Sequence, residues 1–78
     1  MTVTDQLAAV RRATARSRSL NALASECPHR YRQLVAAELW AGNARPDAKA
    51  RAQLEVEYAG LYRTLYRQAQ VEMGDGDE

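Results

Sequence analysis

Every aromatic ring in this chain except Trp40 carries a hydroxyl: there are four Tyr, one Trp and no Phe. Tyr58, Tyr62 and Tyr66 recur every fourth residue, so on one helix they step from the centre of an apolar face toward its edge. Arg63 and Arg67 lie just beyond that edge. Tyrosine, tryptophan and arginine offer large contact areas and dominate protein-binding hot spots. Tyr62, Arg63, Tyr66 and Arg67, joined by Trp40, are therefore the candidate residues for engaging another protein.

A second set is basic. Arg11, Arg12, Arg16 and Arg18 cluster near the N-terminus, and guanidinium groups match phosphate oxygens bidentately. These four are the candidate contacts in an alternative reading, a nucleic-acid-binding regulator. On a helical wheel Arg12 and Arg16 point away from Arg11 and Arg18, which does not build one groove-facing stripe. Residues 1–32 carry a net charge of +4 and residues 33–78 a net of −3, so the chain is dipolar while its total is only +1.

Catalytic chemistry finds little support. The chain has one Cys and one His; Cys27-Pro28-His29 sets a thiol near an imidazole with nothing to orient the base. One Cys and one His do not make a zinc site. No glycine-rich phosphate loop occurs. The expectation is a non-enzymatic protein with no cofactor and no metal.

The elements that must carry these residues are helical, because no stretch alternates with period two. Thr2 followed by Asp5 resembles a capping box and starts a helix over about Thr4–Ala24. Val3, Leu7, Val10 and Thr14 lie on one side of it, with Ala9, Ala13, Leu20 and Leu23 nearly opposite. The face changes at Arg16-Ser17-Arg18-Ser19, where a bend or break is expected. Pro28 disfavours helix at Cys27 and opens a second helix, with Tyr31, Leu34, Val35 and Leu39 as its apolar face. Gly42-Asn43 stops that helix and Pro46 opens the next.

From Pro46 to Met73 there is no further proline, enough for a helix of about 42 Å. Leu54, Tyr58, Leu61, Tyr62, Leu65, Tyr66, Ala69 and Met73 form its broad apolar stripe. Ala48, Ala52, Val56 and Gly60 make an adjoining row of small or short side chains. The short connection predicts that the second and third helices form an antiparallel hairpin whose opposed residues sum to about 89. Glu38 and Arg51, each a lone charge in an apolar face, then pair.

The expected fold is all-α: this hairpin with the N-terminal helix packed on it, a three-helix bundle over residues 1–73, followed by a disordered acidic tail over 74–78. A compact chain of this length has a radius of gyration of about 11.5 Å, less than the long helix demands. A core of this size supplies only about 3–5 kcal/mol. Both point to a homodimer through the long helix, with Val56 and Gly60 at the contact.

Trp40-Ala41-Gly42 between two helices resembles the Trp-x-Gly turn of the WXG100 family of secreted helical hairpins. Membership would imply a secreted hairpin. Pro28 interrupts what that family keeps as one long helix, and no Tyr-x-x-x-Asp/Glu export signal follows, since the residues four after Tyr58, Tyr62 and Tyr66 are Tyr, Tyr and Gln. The unpaired Cys27 fits a reducing cytoplasm, and there is neither an apolar leader region nor a run long enough for a membrane span. Ten Arg against one Lys and abundant Ala reflect a GC-rich bacterial or phage genome. The composite expectation is a cytoplasmic adaptor, inhibitor or regulator, of the kind that suits a phage or plasmid setting, that modulates a protein partner.

Overall fold

The computed structural model describes residues 2–74, and the expected acidic tail beyond Gly74 lies outside the described residues. Four helices follow one another: α1 (Val3–Glu26), α2 (Pro28–Trp40), α3 (Pro46–Glu57) and α4 (Ala59–Glu72). No strand occurs among the described residues.

Local chemistry explains most of the boundaries. The capping box at the start of α1 is formed: the Asp5 amide donates to Thr2 Oγ1 at 3.2 Å, and the Thr2 amide to Asp5 Oδ2 at 3.4 Å. These bonds satisfy two of the donors that a helix start leaves open. Cys27 (φ −124°, ψ 58°) and Arg45 (φ −129°, ψ 68°) leave helical geometry immediately before Pro28 and Pro46. The proline ring pushes its predecessor out of the α region. Gly42, at φ 83°, closes α2: its amide donates to the Leu39 carbonyl and that of Asn43 to the Glu38 carbonyl, both at 3.0 Å. That pair is the Schellman arrangement, which needs a left-handed residue at this position.

The expected helix over Pro46–Met73 is two helices. Tyr58 adopts φ −123° and ψ 49° with no proline after it, yet its amide still reaches Leu54 at 2.8 Å and its carbonyl accepts from Tyr62 at 2.9 Å. The break therefore costs few backbone bonds and re-aims α4. Conversely, the break expected around Arg16–Ser19 is absent, because α1 runs unbroken through it. Ser19 is buried there and donates its hydroxyl to the Ala15 carbonyl at 2.6 Å. A serine with its hydroxyl satisfied in this way acts as a small core residue.

α2 packs mainly on α3, while α1 packs on both α4 and α3; the pairs α1–α2 and α3–α4 touch much less. Among the described residues the buried ones are Ala15, Ser19 and Leu23 of α1, Ala50 and Leu54 of α3, and Ala69 of α4. Leu23 and Leu54 are the large ones, and small neighbours allow the helices to approach. Of the stripe expected on the long helix, Leu54 and Ala69 are buried. Tyr62, Leu65, Tyr66 and Met73 are half-buried, and Tyr58 and Leu61 are exposed. The turn of the chain at Tyr58 splits what a straight helix would have kept on one face.

The expected Glu38–Arg51 pair does not form. Glu38 Oε1 accepts from the Asn43 side chain, and Arg51 Nη1 donates to Asp47 Oδ2 at 3.2 Å. Each charge finds a partner within a turn or so of its own element, at lower entropic cost than one across the interface. The guanidinium of Arg51 also lies 5.8 Å from the Tyr31 ring centroid. The α2–α3 pair is instead joined by Arg30 and Glu57.

The protein is elongated, 43 × 26 × 15 Å with a radius of gyration of 14.3 Å. Its accessible surface, 5610 Å², exceeds by roughly 900 Å² the value of about 4,700 Å² expected for a monomer of this mass.

Candidate binding groove between the first and fourth helices

The groove is made by two helices that each place two arginines one turn apart on it. α1 contributes Arg12 and Arg16, and α4 contributes Arg63 and Arg67. Spacing of four residues stacks side chains on one helix face, about 5–6 Å between Cβ atoms. Tyr62 and Tyr66 share the lining with these arginines, and Ala13 and Gln70 complete an open groove of about 560 Å³. The tyrosine rings are half-buried, their centroids 5.9 Å apart and their planes inclined by 40°. This tilted contact is a favourable aromatic arrangement.

The four arginines are not equivalent. Arg16 Nη1 is 2.6 Å from Glu55 Oε1 and donates to the Tyr62 hydroxyl at 3.3 Å. Its guanidinium carbon lies 5.9 Å from the Tyr62 ring centroid. The hydrogen bond that Arg16 donates to Glu55 raises the Arg16 pKa; desolvation opposes this, and the Tyr62 hydroxyl adds to it. Arg16 thus ties α1 to α3 and α4, and its charge is compensated. Arg12, Arg63 and Arg67 are exposed, and no carboxylate partners them among the described residues. Among the described residues, the groove therefore presents three positive charges without a carboxylate partner, alongside two phenolic rings.

The residues expected from two rival readings meet here. Tyr62, Arg63, Tyr66 and Arg67 come from the protein-binding set, Arg12 and Arg16 from the nucleic-acid set. Arg11 lies beside the groove, lining its extension toward the start of α1 with Thr4, Leu7, Ala8 and Gln70. Arg18 is exposed and lines neither this groove nor its extension. Trp40 is separate: it is 93% exposed at the end of α2, an element that does not line the groove. Glu55 and Gln70 escaped the sequence reading. A clue to the convergence was present, since Arg12–Arg16 and Arg63–Arg67 share one spacing, but nothing in the sequence pairs Glu55 with Arg16.

The sequence matches no family model, and no curated protein or solved structure matches it either.

Val56 and Gly60 flank the break at Tyr58 on opposite sides. Val56 is 72% exposed, and a Cβ built on Gly60 meets nothing within 4 Å. The small-residue row is divided: Ala48 and Ala52 border a shallow groove against Ala13 and Ser17 of α1. Cys27 is a half-buried free thiol at the α1–α2 junction. His29 Nε2 sits 3.3 Å from Gln33 Nε2. Among the described residues no group of three His, Cys, Asp or Glu side chains could hold a metal ion, and no helix is long and apolar enough to cross a membrane.

Proposed function

We propose that this chain is a small non-enzymatic binding module of the cytoplasm that engages another protein through the α1–α4 groove and modulates it as an adaptor, inhibitor or regulator. The observation that carries this reading is the convergence of Tyr62, Tyr66, Arg12, Arg63 and Arg67 on one open groove. Half-buried tyrosines have few rotors left to freeze, and arginines supply directional hydrogen bonds, the combination found at protein hot spots. We also propose that the chain self-associates through Val56 at the end of α3 and Gly60 at the start of α4, with α2 and α3 paired as a hairpin.

A nucleic-acid reading is favoured by one observation, that Arg12 and Arg16 share the groove with Arg63 and Arg67. Affinity capture from the host separates the two. Wild-type chain is compared with Tyr66→Ala/Arg67→Ala and with Arg18→Ala, each with its helical content verified. A protein retained by wild type and Arg18→Ala, lost with the groove variant, and little affected between about 50 and 200 mM salt is the expected result. Recovery of nucleic acid that is released steeply over that salt range would overturn the protein-partner reading.

A further inference from the structure

We infer that the partner segment seated in the α1–α4 groove is an acidic amphipathic helix with carboxylates one turn apart. This rests on the protein-binding reading and adds the chemistry of what is bound. Three features carry it. Arg12, Arg63 and Arg67 have no carboxylate among the described residues, whereas Arg16 has Glu55 at 2.6 Å. The groove thus lacks about three negative charges. Arg63 and Arg67 stand one turn apart on α4, the same pitch at which a helical partner presents Glu at i and i+4, and Arg12 stands on the facing helix. Beside these charges the lining includes apolar surface, the Tyr62 and Tyr66 rings and Ala13, and in the extension, which Thr4, Arg11 and Gln70 also line, Ala8 and Leu7, which is 57% exposed. A helix with one acidic edge and one apolar edge satisfies both.

A polyphosphate satisfies only the first. Its charges form an unbroken track that is met by an equally continuous basic track. Here the total charge is +1, Arg16 is already paired with Glu55, Arg12, Arg63 and Arg67, without a carboxylate partner among the described residues, share the groove with Tyr62, Tyr66 and Ala13, and Arg18 lies outside it.

The test uses the full chain and fluorescein-labelled, alanine-rich helical peptides followed by polarisation anisotropy. One set carries three Glu at i, i+4 and i+7 beside two Leu. A second disperses the same three Glu around the helix, a third replaces them with Gln, and a single-stranded oligonucleotide serves as competitor. The expected result is that the clustered-Glu set binds about tenfold or more tightly than the dispersed and Gln sets. That preference should disappear in Arg63→Gln/Arg67→Gln, fall in Arg12→Gln and persist in Arg18→Gln. If the Gln peptides bind as well as the clustered-Glu set, the acidic-helix inference fails while the groove still binds protein. If no peptide binds, or the oligonucleotide binds more tightly than every peptide, the protein-binding reading fails with it.

Discussion

Arg30 holds Glu57 side-on, through two donors on one edge of its guanidinium: Nε to Oε1 at 2.8 Å and Nη2 to Oε2 at 2.7 Å. The pair links α2 to the last residue of α3, one position before the chain turns at Tyr58. A carboxylate at a helix C-terminus faces the negative end of the dipole, so Arg30 offsets an unfavourable placement as well as bridging two elements. Gln53 adds a third bond, Nε2 to Glu57 Oε2 at 3.1 Å.

This relationship sets a pH dependence. Hydrogen bonding from Arg30, then from Gln53, lowers the Glu57 pKa from 4.5 to about 2. A depressed carboxylate contributes stability that is complete above its unfolded value, and that contribution is lost as pH falls through the folded value. Thermal melts between about pH 5 and pH 2 should therefore show a loss of stability that is smaller in Glu57→Gln. The pair is partly exposed, so the same contribution should shrink with added salt. Equal acid sensitivity in both proteins would remove Glu57 from the explanation.

Leu54 and Leu23 are both fully buried. Truncating a buried leucine to alanine costs about 2–5 kcal/mol, comparable with the whole stability of a core this small. Leu54→Ala should leave the chain largely unfolded at room temperature by circular dichroism. Leu7→Ala and Val10→Ala, at residues 57% and 60% exposed, should stay within about 0.5 kcal/mol of wild type by urea titration.

At Gly60 an added methyl group meets open space in the single chain. Replacing a helical Gly by Ala stabilises by about 0.5–1 kcal/mol when the geometry is compatible. Gly60→Ala should therefore raise the melting temperature of the monomer. If two copies meet at Val56 and Gly60, wild type should also scatter light as a dimer at tens of micromolar, about where an interface of −7 kcal/mol still associates, and Gly60→Ala should weaken that association. A wild-type monomer at that concentration counts against the contact.

Trp40, the sole tryptophan, is 93% exposed. Its emission should be that of a water-exposed indole both before and after unfolding, and Trp40→Ala should leave stability within about 0.5 kcal/mol. A blue shift on adding a bound partner would place Trp40 in the contact. An unchanged spectrum would confine recognition to the groove.

What the sequence determines alone is the punctuation. Pro28 and Pro46 act on the residue before them, Gly42 supplies a left-handed conformation, and Thr2 with Asp5 caps the first turn. Each is a steric or hydrogen-bonding effect spanning a few residues, so it can be read without knowing the fold. The all-helical character follows in the same way, from periodicity. The rest depends on what packs against what. Tyr58 has helical neighbours and no proline after it; the chain turns there as α3 packs against both α2 and α1 while α4 packs along α1. Ser19 reads as polar punctuation until α1 buries it and its hydroxyl turns to the Ala15 carbonyl. Glu38 and Arg51 look like mutual partners, yet Asn43 and Asp47 are nearer. Most consequentially, Arg12 and Arg16 meet Arg63 and Arg67 only because α4 lies against α1. Residues some fifty positions apart share no local constraint, so only the tertiary packing brings them to one groove.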